Sequence, residues 1–224
     1  MKNLHRYIEH TALHPTVDER TISLLIAMAR KYQFRGVCVP PFWVKKVKRE
    51  LATEDIQVVT VVGFPFGYGM TQTKVFEAQQ AIRDGADELD VVWSLSAFKS
   101  GMTWTKIELA QLANCCHDEE KFLKVIVETA YLDETELRTA CDICRDAGVD
   151  FVKTSTGFAP DGAKAATIKL MRECLPSQVG IKASGGIKTL EQALEMIIAG
   201  ADRIGTSSGP QIMEAYLSDQ PQIE

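Results

Sequence analysis

The sequence has no long apolar run. Nothing in its 224 residues approaches the roughly 20 consecutive apolar positions that cross a bilayer, so no membrane association is expected. It has no surplus of positive charge either. With 25 Lys and Arg against 30 Asp and Glu, the net charge is −5, and the basic footprint that holds a phosphate backbone is missing; nucleic acid is not an expected partner. Low-complexity segments and linkers rich in Pro, Gly or Ser are also missing, so nothing marks a boundary between domains. The six cysteines (Cys38, Cys115, Cys116, Cys141, Cys144 and Cys174) lack the dense spacing of a disulfide scaffold and are read as reduced thiols. Cys141 and Cys144 form a C-x-x-C inside a helical pattern, but no second pair gives zinc-like spacing. Histidine is scarce, and the strand setting of His10 and His14 breaks helical ligand spacing, so no metal is expected. The N-terminus lacks the basic and apolar regions of a signal peptide, and a cytoplasmic location is expected.

Hydrophobic residues (46%) and charged residues (25%) are instead present in globular proportion, which allows a large core. The length suits one α/β barrel, which typically needs about 250 residues. A weak repeat supports it, in which a helix ends at glycine and a strand begins at once: Gly36-Val-Cys-Val, Gly85-Ala-Asp-Glu-Leu-Asp-Val-Val, Gly148-Val-Asp-Phe-Val-Lys and Gly200-Ala-Asp-Arg-Ile-Gly. The runs Tyr7 to Ala12, Val58 to Phe64, Leu123 to Glu128 and Val179 to Ser184 complete eight strands, with eight helical stretches between them. Val58-Val-Thr-Val-Val62 is almost wholly apolar, as expected of a parallel strand covered on both faces. Ile22, Leu25, Ile26 and Ala29, and again Leu190, Ala193, Leu194, Ile197 and Ile198, fall on single helical faces. The pattern predicts a single (β/α)8 TIM barrel over 1–217 and a loose acidic tail over 218–224; an open doubly wound sheet is the structural alternative.

Lysine is a poor strand former, yet Lys153 and Lys182 each sit in a short β-like run that ends in small residues and glycine. Placed at the ends of neighbouring strands six and seven, they lie near the face where a parallel barrel gathers its reactive groups. Two ammonium groups about 5 Å apart at an effective dielectric near 20 repel by roughly 3 kcal/mol, which favours one of them losing a proton and attacking a carbonyl. Asp90, on strand four with Glu88 two residues earlier on the same face, is placed to shuttle protons and to hold Lys182 charged. Glu9 and Glu128 are candidates for the rest of a polar ring, or for plain salt bridges. Two turns, Ser184-Gly-Gly-Ile187 and Gly205-Thr-Ser-Ser-Gly209, suggest a phosphate site after strands seven and eight, which Thr156 and Gly157 could extend.

These segments resemble the deoxyribose-phosphate aldolase family. The resemblance is carried by Val61-Val-Gly-Phe-Pro-Phe-Gly67, Gly85 to Val92, Leu123-Lys-Val-Ile-Val-Glu-Thr129, Asp150-Phe-Val-Lys-Thr-Ser-Thr-Gly-Phe158, Gly180-Ile-Lys-Ala-Ser-Gly-Gly186 and Arg203-Ile-Gly-Thr-Ser-Ser208. It implies a cofactor-free, Schiff-base-forming class I aldolase that reversibly splits 2-deoxy-D-ribose 5-phosphate into D-glyceraldehyde 3-phosphate and acetaldehyde. By position it implies Lys153 as the imine-forming amine, Lys182 as the cation that keeps it reactive, and Asp90 as the acid/base. Phosphate contacts would fall on Thr156, Gly185, Gly186, Gly205, Ser207 and Ser208. Cys38 matches a cysteine near the substrate, although a packing role suits a small buried thiol better. A homodimer is implied as well. Glu9, His14, Pro40 and Ser94 depart from the commoner residues at their positions, which bears on aldehyde specificity more than on reaction type, and nothing after Tyr216 can supply the tyrosine that some members bring to the site. The competing readings are a non-catalytic barrel that binds sugar phosphates and another lysine-dependent barrel carboligase.

Overall fold

The structure is a computed structural model that describes residues 3–219. Eight parallel strands form a closed ring in sequence order: β1 (Ile8–Thr11), β2 (Gly36–Val39), β3 (Gln57–Val62), β4 (Glu88–Val92), β5 (Phe122–Ile126), β6 (Phe151–Lys153), β7 (Gly180–Ser184) and β8 (Arg203–Thr206). Pairing of Ile8 with Ile204 and Glu9 with Gly205 closes the ring and excludes the open sheet. The fold is a (β/α)8 TIM barrel.

Helices α1 (Glu19–Tyr32), α2 (Val44–Glu50) and α3 (Thr71–Arg83) follow the first three strands. The connection after β4 holds two helices, α4 (Leu95–Lys99) and α5 (Trp104–His117), where the sequence reading has one stretch. Gly101 explains the break, since its φ of 69° is the left-handed turn at which a helix stops. Then come α6 (Glu134–Asp146), α7 (Ala165–Cys174), α8 (Leu190–Ile198) and α9 (Gly209–Ser218), so the expected tail begins as helix at Ser218, and its residues 220–224 lie outside the described ones. Among the described residues no helix is long and apolar enough to cross a membrane.

Alternation along the strands separates two interiors. Leu89, Val91, Leu123, Val125, Ile181 and Ile204 face the helices and join one large core with Ile22, Leu25, Ile26 and Ala29 of α1. Inside the ring, Cys38, Val59 and Val61 form a small apolar cluster with Leu13 and Phe64. Cys141 and Cys144 pack in the main core from α6. On α8 the buried line is Leu190, Ala193 and Met196, and Ile198, on the other side of the helix, is 79% exposed rather than part of the stripe. Two strands are shorter at their ends than their apolar runs: β3 stops at Val62 because Gly63 turns to φ 63°, and β5 stops before Glu128, whose φ is 55°.

A buried ion pair ties α3 to α5. Lys74 Nζ lies 2.8 Å from Glu108 Oε1, and the Thr71 hydroxyl donates to the other oxygen at 3.1 Å. Burial pushes the Lys74 pKa down, and Glu108 only partly offsets it. Removing one partner of such a pair leaves an uncompensated buried charge. Glu108→Ala is therefore expected to cost about 3–5 kcal/mol in a urea titration, whereas a loss of only about 1 kcal/mol or less, as for exposed pairs, would contradict the burial argument.

Candidate active site

The centre of the ring is charged because five strands turn acids or amines inward at one level. Register sets Lys153 of β6 directly beside Lys182 of β7, and Asp90 of β4 beside Lys124 of β5. Asp90 Oδ2 accepts from Lys153 Nζ at 2.7 Å and from Lys182 Nζ at 2.7 Å, and its Oδ1 accepts from Lys124 at 3.1 Å. Lys182 also donates to Glu9 of β1, and Lys124 lies 2.5 Å from Glu88 Oε2 and 3.6 Å from Glu9 Oε1. Arg203 of β8 closes the set, with Nε 3.9 Å from Glu9 Oε1. Glu9, Asp90, Lys124 and Lys182 are fully buried; Lys153 is 3% exposed.

The strand positions of the two lysines differ from the sequence reading. Lys153 is the last residue of β6, as expected, but Lys182 is the third of five residues in β7 and does not end it. The two stand side by side in register, yet Lys153 lines the cavity while Lys182 is fully buried and does not.

Field directions follow from this packing. Burial alone would raise the Asp90 pKa, but Lys124, Lys153 and Lys182 around it hold the carboxyl well below the usual carboxylate range. Glu88 is lowered in the same way, with Lys124 outweighing its burial. Burial opposes the charge on Lys182, yet Asp90 and Glu9 prevail and raise its pKa; Lys124 is raised by Asp90, Glu88 and Glu9 against the same penalty. The acids bind protons more weakly when folded, so their stabilisation is full above their unfolded pKa of about 4 and fades as pH falls through the folded values. For the two lysines it is full below their unfolded pKa of about 10.4 and fades as pH rises through the folded values. The urea midpoint is expected to plateau between those limits and to drop on both sides. A midpoint that climbs steadily through the acid range would contradict these shifts.

Above Lys153 opens a cavity of about 630 Å³ at the C-terminal mouth of the barrel. Of the residues singled out in the sequence, Lys153, Thr156, Gly157, Gly185, Gly186, Gly205 and Ser207 line it, as do His10 and His14. Ser208 does not, and its N–H is given to the Thr206 hydroxyl at 2.9 Å. Gly185 and Gly186 take φ of 87° and 78°, a left-handed backbone that glycine adopts without steric cost and that lets the chain approach a ligand closely. Helix starts contribute unequally. The first turn of α8 is closed by its own capping box, Thr189 with Gln192, while α9 begins after Ser208 with no side-chain cap, Pro210 in its first turn contributing no N–H.

Three expectations change here. Thr156 reaches the cavity, but its N–H and its hydroxyl both donate to the Glu128 carboxylate. Glu128 is not a member of the inner ring: it stands beyond the end of β5 and outside the charge cluster. Cys38 is fully buried inside the barrel and does not line the cavity; burial pushes its thiol up to about 11, which makes it a packing residue. His10 Nδ1 sits 3.3 Å from the Thr206 carbonyl, and His14 Nδ1 sits 2.8 Å from the Thr16 hydroxyl. The sequence reading missed Lys124, although a lysine inside Leu123-Lys-Val-Ile126 is the same anomaly that singled out Lys153 and Lys182. It also missed Arg203.

A closed parallel barrel that presents one buried lysine amine to a glycine-lined cavity, backed by a buried network of acids and amines, defines a lysine-bearing (β/α)8-barrel enzyme. The DeoC/LacD family aldolase model matches residues 7–215. Deoxyribose-phosphate aldolase of Thermococcus gammatolerans is 46% identical over 212 residues, covering 93% of this chain and 94% of that protein. The deoxyribose-phosphate aldolase of Clostridium botulinum (strain Langeland) is 47% identical over 211 residues, covering 94% and 99%. A solved aldolase structure superposes with a TM-score of 0.94 at 43% identity over 100% of both chains. The tetrameric deoxyribose phosphate aldolase of Aeropyrum pernix does so at 0.89 with 33% identity, over 96% of this chain and 91% of that one. The chain belongs to the DeoC/LacD family of aldolases.

Proposed function

We propose that the chain reversibly cleaves 2-deoxy-D-ribose 5-phosphate into D-glyceraldehyde 3-phosphate and acetaldehyde through an imine on Lys153. The observation that carries this reading is the placing of the Lys153 amine at the cavity while Asp90 joins it to the fully buried Lys182 beside it. Charge balance agrees. Four cations, Lys124, Lys153, Lys182 and Arg203, face the three carboxylates of Glu9, Glu88 and Asp90, so one amine can be neutral without leaving an acid unmatched.

In the cleavage direction the amine adds to the C1 carbonyl of the open-chain sugar, and the carbinolamine loses water to give a protonated imine. The C3 hydroxyl then gives up its proton and the C2–C3 bond breaks, its electron pair passing into the enamine. Protonation at C2 and addition of water release acetaldehyde and restore the amine. Asp90 holds the neighbouring ammonium of Lys182 in place and is positioned to pass a proton between it and the carbinolamine oxygen. The Gly185–Gly186 turn, Gly205, Ser207 and the start of α9 would hold the phosphate.

A coupled assay that follows D-glyceraldehyde 3-phosphate release from the purified protein tests the reading. Binding of the sugar phosphate without any release would instead support a non-catalytic barrel. The phosphate cradle has its own check. A Cβ at Gly186 meets nothing within 4 Å, so Gly186→Ala costs only the left-handed backbone strain. Alanine is expected to relieve that strain, roughly 1–2 kcal/mol, by relaxing the free turn away from the left-handed conformation, so that restoring the cradle on binding raises KM for the phosphorylated sugar roughly 5- to 30-fold. Acetaldehyde self-addition should be unchanged; an equal change in both reactions would speak against a phosphate role. We also propose a homodimer, supported by the exposed Phe66, Tyr68, Met70 and Phe76 after β3, and light scattering that reads a single chain would refute it.

A further inference from the structure

The charge cluster leaves one buried acid at the mouth unaccounted for. Glu128 is 6% exposed, stands in the left-handed region at φ 55° and ψ 69°, and among the described residues forms no ion pair. Its carboxylate is spent on one residue: Oε2 accepts the Thr156 N–H at 3.1 Å and also the Thr156 hydroxyl. The segment around the pair is pinned by the backbone, since Val127 N–H donates to the Lys153 carbonyl at 3.1 Å and Thr129 N–H to the Thr154 carbonyl at 2.9 Å. The pair is thus fixed three residues from the reactive amine.

Hydrogen-bond inventory decides what Thr156 can offer. A hydroxyl has one proton to give and two lone pairs, and a carboxylate can only accept. The proton goes to Glu128. One lone pair takes the Phe158 N–H at 3.1 Å, which leaves one lone pair on the hydroxyl of a residue that lines the cavity. An oxygen so arranged cannot donate to a phosphate, and the carboxylate behind it disfavours an anion. It can receive a hydrogen bond from a hydroxyl.

We infer that Glu128 is a positioning residue that locks the Thr156 hydroxyl as an acceptor for a sugar hydroxyl of the substrate, the C3 hydroxyl that must release its proton as the C2–C3 bond breaks. This rests on the cleavage reaction given under Proposed function. It assigns Thr156 to hydroxyl recognition and leaves the phosphate to the turns after β7 and β8. Acetaldehyde has no hydroxyl, so its condensation with Lys153 does not need the pair.

Three variants of the full chain test the inference: Thr156→Val, which keeps the shape, Thr156→Ser, which keeps the hydroxyl, and Glu128→Gln, whose amide can donate and so turn the Thr156 proton toward the cavity. Expected are a fall in kcat for 2-deoxy-D-ribose 5-phosphate of roughly 100-fold in Thr156→Val and Glu128→Gln, and rescue to within about fivefold in Thr156→Ser, on the scale set by misplacing a reacting group. Affinity for inorganic phosphate and borohydride trapping of acetaldehyde on Lys153 should stay within about twofold of the unaltered protein, because neither uses the pair. A tenfold loss of phosphate affinity in Thr156→Val would make Thr156 a phosphate contact and overturn the inference. Trapping that falls in parallel with cleavage would reduce Glu128 to a structural tether, and unchanged kcat in both variants would also sink it. Should Thr156→Val not fold, Glu128→Gln against Thr156→Ser makes the same comparison. Failure of the underlying reading shows differently, as an unaltered protein that neither cleaves the sugar nor traps on Lys153.

Discussion

Lys153→Ala is expected to lower kcat for cleavage on the order of 10⁴-fold or more while leaving the barrel folded. The amine is the only one of the buried cluster that lines the cavity; Lys188, the other lysine of the lining, is exposed to solvent rather than held in the charge network. Stability should hardly suffer. Asp90 keeps Lys124 and Lys182 as partners when Lys153 is gone, and the remaining acids and cations stay matched. Lys153→Arg should be as inactive as the alanine variant, because a guanidinium keeps the charge but is not deprotonated at any working pH. Turnover within tenfold of the unaltered protein in either variant, measured by release of D-glyceraldehyde 3-phosphate, would show that covalent chemistry runs elsewhere.

Lys182→Leu is expected to be worse for the protein as a whole. Lys182 is fully buried and donates to both Glu9 and Asp90. Removing it strands carboxylate charge in the barrel, at a cost of about 3–5 kcal/mol in chemical denaturation. Activity should fall as well, since the cation next to Lys153 is lost. The paired replacement Lys182→Met with Glu9→Gln removes one charge of each sign and should recover most of the stability without turnover. Near-normal turnover with an unchanged pH profile in Lys182→Leu would contradict any role of its charge in the chemistry, and undiminished stability would contradict the buried network.

Most of the barrel could be read from the chain because its signals are local. Gly85, Gly148 and Gly200 stand in the left-handed region where helices stop, and the apolar runs that follow lie within a residue or two of the observed strands; Gly36 differs, since α1 is capped by Gln33 and Gly36 is already the first residue of β2. The ends resisted. Glu128 looks like a continuation of Leu123-Lys-Val-Ile-Val, and only its left-handed backbone removes it from β5. The extra helix after β4 was hidden because Leu95 to His117 reads as one helical stretch until Gly101 turns.

The site was legible as far as residue type was anomalous. Lysines inside strands single out Lys153 and Lys182, and glycine pairs after strands single out the anion turns. Lys124 carries the same anomaly inside Leu123-Lys-Val-Ile126 but is followed by no glycine-rich turn. What sequence could not convey is partnership: that Thr156 gives both its donors to Glu128, that one oxygen of Asp90 serves two amines, or that Lys153 lines the cavity while Lys182 beside it does not. Those depend on the stagger between strands rather than on any spacing along the chain.

The most direct test of the central claim is borohydride reduction in the presence of 2-deoxy-D-ribose 5-phosphate or acetaldehyde, followed by peptide mass analysis. The expected result is a single reduced adduct on the peptide carrying Lys153, which disappears in Lys153→Ala. An adduct on Lys124 or Lys182, or catalytic cleavage with no adduct at all, would contradict the account.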